Sequence, residues 1–599
     1  MSSSIQKGAL PYEGGCRFVV WAPHADAVSV VGDFNDWDES TDPLERSDDG
    51  WWSGDIAGAE PGDEYRYHIR TGGETLQRVD PYARRVTNSI GNALIPRPAP
   101  RGKRPTFELP PLNELVIYEL HIGTFGKQPR DADGPSDIES AKERLQYLKD
   151  LGVNAIEIMP IVEFAGDFSW GYNPSHIFAV ESAYGTKHDF RKFVDEAHRQ
   201  GIAVIVDVVY NHFGPSDLDL WRFDGWYEND KGGIYFYNDE RCVTPWGETR
   251  PDYGRSEVRE FIRDNVVMWF DEFRVDGLRW DATSYIRRVH GHDGEDGGDL
   301  PEGWTLMQWV NEEMRALKPG NFSIAEDLQG NPHLVLGTEY GGAGFNAQWD
   351  ANFVHPIRAA LLAADDAARN MQSVRNALVF RYADDAFTRV VYTESHDEVA
   401  NGKARVPEEV DPGNASSWAA RKKSTLGAAL VFTAPGIPMI FQGQEFLEGE
   451  WFRDDEPLDW ARKERFSGVL AVYRDLIGLR LNRGGQTAGL MGQHLEVFHL
   501  NPTDKVIAYH RWAESGPGDS VVVVANLSAM PLEGYAIGLP LRGVWQVRCN
   551  TDSRVYDPEF TDLGGVVIEG LDEGYDDLPA RGVVSIGPYS ALILSQERG

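Results

Sequence analysis

The stretch "FRVDGLRWDAT", residues 273–283, reads as a short apolar strand, yet it carries Arg274, Asp276, Arg279 and Asp281 among Val275, Leu278 and Trp280. Arg279 and Asp281 are two apart, and a strand places alternate side chains on one face. A guanidinium beside a carboxyl favours the ionised acid, and an ionised carboxylate at the mouth of a site is a competent nucleophile. Asp276 lies an odd number of residues from Asp281, so it faces the other way and is read as structural; Arg274 is assigned no role. A second carboxyl would have to work protonated, and Glu326 in "FSIAED" is that candidate, a general acid whose pocket must raise its pKa. One carboxylate that attacks and one acid that protonates the leaving oxygen, about 5–5.5 Å apart, are what glycoside cleavage with retention requires.

Other polar residues fit that chemistry. "DVVYNH" supplies Asp207, Asn211 and His212, and "ESHDE" supplies His396 and Asp397. Asp397 can add negative charge beside an oxocarbenium-like transition state, and the two histidines suit hydrogen bonds to sugar hydroxyls. Tyr172, in "SWGY", can stack under the sugar at the cleaved bond; the plain alternative is an aromatic packed inward on its loop. Asp207, Asn211 and Asp397 also offer oxygen ligands, but there is no HExxH pattern and no compact His/Cys cluster. No metal and no cofactor is expected. A structural Ca²⁺ stays open, since it would need six or more oxygen ligands that sequence alone does not assign.

These residues need a scaffold that brings distant segments together. Apolar, β-branched runs alternate with helical stretches: "LVIYEL" (115–120), "AIEIMP" (155–160), "IAVIVDVVY" (202–210), "VDGLRWDA" (275–282), "FSIAED" (322–327), "RVVYTES" (389–395) and "IPMIFQGQE" (437–445). "FNAQWDANF" (345–353) makes a sixth strand of eight, and "SAKERLQYLKDLG" and "HDFRKFVDEAHRQG" read as helices between them. Near-continuous apolar strands alternating with helices predict a parallel sheet covered on both faces, and the count of eight predicts a (β/α)₈ TIM barrel. Its site lies at the C-terminal ends of the strands, where four of these runs carry the polar residues above.

The barrel is expected at 110–480, within a multidomain chain of 599 residues. Short β-rich runs between residues 16 and 70, separated by turn signals such as "GDFNDWDES" and "EPGD", predict an N-terminal β-sandwich over 1–100. "PRPAPRGKRP" (96–105) is a Pro-rich basic linker. After about residue 485 the chain is β-rich again, predicting a C-terminal antiparallel β-domain, a second sandwich, over 485–599. A formal net charge of −36 argues against nucleic acid and anionic membrane partners, and fits a soluble surface or a salt-adapted host. No run of about 18 apolar residues is present. The N-terminal "MSSSIQKGALPYEGG" has no apolar leader core, and Cys16, Cys242 and Cys549 are odd in number and far apart. A cytoplasmic protein with reduced thiols is expected.

"DVVYNH", "GLRWDA", "IAED" and "ESHDE" resemble, in order, the four signature regions of the α-amylase superfamily. The resemblance implies Asp281 as nucleophile, Glu326 as acid/base and Asp397 as transition-state stabiliser, with Arg279, His212, His396, Asp207 and Tyr172 lining the sugar subsite at the cleaved bond. The family's usual histidine four residues after the nucleophile is Tyr285 here, so that hydroxyl contact is not carried over. "FVVWAPHADAVSVVGDFNDWD" resembles the N-terminal glucan-binding-type module of branching enzymes, isoamylases and trehalohydrolases, with Phe34 and Trp37 either glucan-facing or core. "SHDEVANGK" and "GQEFLEGEWFRDDEPLDW" are similar to glycogen branching enzymes, whereas "DVVYNHFGP" and "TPWGETRPDYG" are closer to maltooligosyltrehalose trehalohydrolases. The resemblance implies an α-glucan or maltooligosaccharide substrate and, first, formation of α-1,6 branches. Hydrolysis of α-1,4-glucans, a trehalohydrolase and a catalytically inactive glucan-binding protein are the alternatives. Trp451, near the tip of the loop after the eighth strand, could stack an acceptor chain or simply pack the loop.

Overall fold

Eight short runs rich in Ile, Val, Leu and Ala pair edge to edge in the computed structural model, which describes residues 5–97, 104–126, 134–294 and 296–598. They are β1 (Ile117–Leu120), β2 (Ala155–Ile158), β3 (Ala203–Val208), β4 (Gly277–Trp280), β5 (Phe322–Ala325), β6 (Ala347–Trp349), β7 (Arg389–Val391) and β8 (Ile437–Phe441). All pairs are parallel, and β8 closes onto β1. β-Branched residues suit a pleat buried on both faces, because the lumen fills one side and the helices cover the other.

Parity along the strands sorts the lumen into layers. Ile117, Ala155, Ile205, Ile324, Ala347 and Met439 belong to one buried apolar cluster that plugs the barrel. The inward positions nearer the C-terminal ends are instead Glu119, Glu157, Asp207, Arg279 and Trp349, all buried. The apolar plug supplies the rigidity, at about 2–5 kcal/mol for each large residue cut back to Ala. The polar layer above it lines the C-terminal mouth.

The strands are shorter than the runs that announce them. β3 ends at Val208, so Asn211 and His212 lie beyond it, and β7 ends at Val391, so His396 and Asp397 sit on the loop that follows. Asp276 precedes β4 and faces away from the lumen; its Oδ2 accepts from the Val204 amide at 2.9 Å and lies 2.8 Å from His198 Nε2. The helix expected at 140–152 is split into Ile138–Lys142 and Leu145–Leu151. "SWGY" is carried not by a plain loop but between the two strands of an antiparallel ribbon, Val162–Phe164 with Pro174–Val180.

Before the barrel stand two sheets, one of Gly8–Tyr12, Gly15–Trp21, Trp51–Ala57 and Glu45–Arg46, the other of Ala27–Gly32, Glu64–Thr71, Glu74–Arg78 and Ala93–Leu94. They dock on the barrel through Tyr82, whose ring centre is 4.7 Å from that of Phe178 and 5.2 Å from that of Phe261. Phe34 packs on Phe18 at 5.9 Å, whereas Trp37 is 37% exposed, with its Nε1 donating to Asp33. The Pro-rich stretch at 96–105 falls largely outside the described residues. After the barrel comes a six-stranded antiparallel sheet with a two-stranded partner, fixed to it by a fully buried Lys422–Asp552 ion pair at 2.6 Å. The three cysteines are free and buried, and no helix of the described residues is long and apolar enough to cross a membrane.

Candidate active site

Arg279 is the hub. Buried on β4, its Nη1 donates to Asp207 Oδ2 at 2.7 Å, to Asp281 Oδ1 at 2.9 Å and to the Tyr172 hydroxyl at 3.3 Å. Its Nη2 lies 3.7 Å from Glu326 Oε2, and the guanidinium carbon sits 4.3 Å from the ring centre of Trp349. Burial pulls its pKa down, but Asp207, Tyr172, Asp281 and Glu326 outweigh that and hold it charged. Asp207 is raised by burial to about 7 against the pull of Arg279, and the Tyr172 hydroxyl donates to its Oδ2.

Strand register explains the gathering. Asp207 pairs with Arg279 across β3 and β4, and Trp280 pairs with Ala325 across β4 and β5. One residue further, Asp281 and Glu326 are neighbours. The Asp281 amide donates to Val208 O and the Glu326 amide to Trp280 O, each at 3.0 Å. The chain then turns at Ala282, whose φ of +39° is left-handed and costly for a residue with a Cβ. That turn aims the Ala282 amide at Glu326 Oε2, 2.6 Å away. Thr283 locks it, with its amide and hydroxyl both donating to the Glu326 carbonyl, at 2.8 and 3.0 Å.

The two carboxyls have different surroundings. Asp281 accepts from Arg279 and from Asn211 Nδ2, the latter at 2.7 Å. Glu326 is pushed up to about 8, first by burial, then by the negative charges of Asp281 and Asp397, against Arg279 and the Ala282 amide. Asp397 is more open, with 44% of its side chain exposed, and its Oδ2 lies 3.6 Å from His396 Nε2. His396 in turn rests on Glu119, Nδ1 to Oε1 at 2.6 Å, and stacks on Tyr172 with ring centres 4.9 Å apart. Burial would lower its pKa, but Asp397 and Glu119 outweigh that and carry it to about 9. His212 goes the other way, lowered by burial to about 4; its Nδ1 meets the side-chain oxygen of Asn211 and its ring stacks on Trp246 at 4.8 Å.

Tyr172, Asp207, His212, Arg279, Asp281, Glu326, His396 and Asp397 thus form one cluster at the C-terminal mouth. Trp451 is placed differently. Its ring is 53% exposed and borders a separate polar pocket of about 230 Å³ with Arg405, Glu448 and Arg453. Its neighbour Phe452 makes the link, packing on Trp170 at 5.6 Å, and Trp170 meets His396 at 5.8 Å. Tyr285, in the family histidine's place, lies edge-on to Trp246 at 5.1 Å.

Sequence reasoning missed Glu119, Glu157, Trp349 and Trp246. Glu157, inward on β2 beside Glu119, is 1% exposed with both carboxyl oxygens unpartnered among the described residues. Burial drives its pKa far up, the charges of Glu119 and Asp207 add to that, and Arg279 and His396 oppose it. The signal was present, a lone acid in each of "LVIYEL" and "AIEIMP". Among the described residues no group of three or more His, Cys, Asp or Glu is arranged to hold a metal ion. What the cluster can do is attack with one carboxylate, protonate with a buried acid beside it, and hold a cationic transition state between negative charges.

Comparisons with known proteins agree in order along the chain. Residues 6–83 match carbohydrate-binding module 48 (isoamylase N-terminal domain). Residues 124–230 and 219–463 match the alpha amylase catalytic domain, and 499–597 the alpha amylase C-terminal all-beta domain. The 1,4-alpha-glucan branching enzyme GlgB of Oceanobacillus iheyensis is 31% identical over 575 residues, 90% of this chain and 86% of that one. That of Salinibacter ruber is 31% identical over 582 residues, 92% and 90%. A pullulanase from Anoxybacillus sp. LM18-11, solved with maltotetraose, superposes with a TM-score of 0.76 at 22% identity, over 99% of this chain and 87% of that one; it shares the fold. The chain belongs to the α-amylase family and, within it, to the family of the 1,4-alpha-glucan branching enzymes.

Proposed function

We propose that this enzyme cleaves α-1,4-glucosidic bonds through a covalent glycosyl-enzyme and transfers the released chain to a 6-hydroxyl, forming α-1,6 branches. The observation that carries the chemistry is the single guanidinium of Arg279 in contact with Asp207 and Asp281 and close to Glu326. The branching outcome is supported by the kinship with branching enzymes.

In this mechanism Asp281 attacks the anomeric carbon while Glu326 gives its proton to the departing glucosidic oxygen. A carboxyl pushed up to about 8 holds that proton at neutral pH. Arg279 and Asn211 keep the attacking carboxylate oriented. Asp397 and Asp281 flank the positive charge that develops at the anomeric carbon, and His396, held by Glu119, aims its Nε2 at the site. Glu326, now ionised, then takes the proton from an acceptor 6-hydroxyl, which displaces Asp281 with a second inversion. Transfer beats hydrolysis when the acceptor is better positioned than water. Trp451 is the residue proposed to seat that acceptor.

We assign the work to three domains, 1–100, 110–480 and 485–599, acting on α-glucan in the cytoplasm. The free, buried thiols suit a reducing compartment. A net charge of −36 disfavours nucleic acid and anionic membranes. The test is to incubate the protein with amylose and compare new α-1,6 linkages with new reducing ends. Branches in excess of reducing ends are expected. Reducing ends without branches would make it a hydrolase, and action confined to chains ending in trehalose a trehalohydrolase.

A further inference from the structure

A cavity of about 390 Å³ opens where the N-terminal module meets the start of the helix Lys187–Gln200. That volume is in the range of small-ligand sites. Arg85 and Arg97 line it from the module; Lys187, His188 and Arg191 line it from the helix. Among the described residues no Asp or Glu lines it, in a chain with 94 acidic residues against 58 Lys and Arg. A concentration of cations with no acid in the lining is therefore against the trend of the whole molecule.

Among the described residues these cations are not satisfied elsewhere. The side chains of Arg85, Arg97, His188 and Arg191 have no hydrogen-bond or ion-pair partner among the described residues. Lys187 has Glu272 at 4.0 Å, but that carboxylate is already held by Arg84 at 3.0 Å. Burial pulls the Lys187 ammonium down, and Glu272 opposes this while Arg84 and Arg191 add to it. The helix start does not supply any, since Asp189 is spent on the Thr186 cap and on Lys192. Leu94, Ile95 and Pro96 add an apolar wall.

We propose that this cavity binds a small phosphomonoester, its dianion on the arginines and Lys187 and its carbon body against Leu94 and Pro96. Arginine forks match phosphate oxygens in pairs. Because the cations come from both sides of the junction, the ligand would tie the N-terminal module to the barrel.

The test uses the full chain, with glucose 6-phosphate, a phosphorylated maltodextrin, inorganic phosphate and neutral glucose as probes, in calorimetric titration and thermal unfolding. Glucose 6-phosphate at ~10 mM should raise the unfolding midpoint by ~2 °C or more, and glucose should not. Arg85→Ala combined with Arg191→Ala should weaken the affinity at least ~10-fold, two arginine–phosphate contacts being lost, while activity on amylose without ligand is unchanged. Arg191→Lys alone should weaken binding less than the double variant, since it keeps the charge and loses only the paired contact. Tighter binding of the phosphorylated maltodextrin than of glucose 6-phosphate would support a phosphate ester on the glucan as the ligand; the reverse would support a free sugar phosphate. No binding by either ester, equal binding by the double variant, or inorganic phosphate binding as tightly as the esters would overturn the proposal.

Discussion

Glu119 Oε1 and His396 Nδ1 are 2.6 Å apart, both buried, one on the first barrel strand and the other on the loop after the seventh. The carboxylate fixes which nitrogen of His396 faces the site and helps carry its pKa to about 9. A histidine raised above its unfolded value of about 6.5 contributes its stabilisation fully below that pH and loses it as pH rises through about 9. Glu119→Gln should therefore cost about 3–5 kcal/mol at pH 6, as a broken buried pair does, and distinctly less at pH 10. Urea unfolding of both proteins at the two pH values measures it. An equal loss at both would show that the histidine does not change charge between them, contrary to the linkage.

Glu157 predicts the opposite sign. Its folded pKa is raised by burial, while in the unfolded chain it ionises above about 4.3. The native state is therefore penalised progressively as pH rises above that value. Glu157→Gln should leave the melting temperature unchanged near pH 4 and raise it at pH 8. A variant that loses stability at pH 8 would mean that Glu157 is charged and paired in the fold.

In the proposed mechanism Glu326 sets the alkaline limit of the reaction. As the acid, it must carry a proton, so kcat/KM on amylose should fall as pH rises through about 8. Glu326→Gln should lose on the order of 10³-fold on amylose and far less on α-maltotriosyl fluoride, whose leaving group needs no proton. Equal losses on the two substrates would remove the acid role.

Much of this site was legible because chemistry left marks in apolar strands. Asp207, Arg279 and Asp281 stand out as charges in runs of Val, Leu and Trp, and strand parity predicts which share a face. The same parity sent Asp276 outward, where it binds His198 and the Val204 amide. Glu119 and Glu157 carry the same mark but sit two strands and one strand before the first signature region, outside every motif. Trp349 and Trp246 were invisible for a different reason: an aromatic that stacks on Arg279 or His212 looks in sequence like one that fills a core. Ala282 could not be foreseen either, since its left-handed turn is imposed by the barrel and not by its own preference.

Trp451 tests how the acceptor is held. Its exposed ring stands apart from the catalytic cluster, so Trp451→Ala should leave donor cleavage nearly intact while the ratio of α-1,6 linkages to reducing ends falls. Loss of one stacking contact of about 1 kcal/mol corresponds to roughly fivefold. An unchanged ratio would reduce Trp451 to a surface residue of its loop.

The central claim, that Asp281 becomes covalently glycosylated, has a direct measurement. Glu326→Gln should form the intermediate from α-maltotriosyl fluoride without an acid, and should release it slowly for want of a base. Peptide mass spectrometry of the quenched mixture should find one maltotriosyl group on the peptide containing Asp281, and none when Asp281→Asn is added. An adduct on Asp397, or no adduct while the fluoride is still consumed in a burst, would contradict the account.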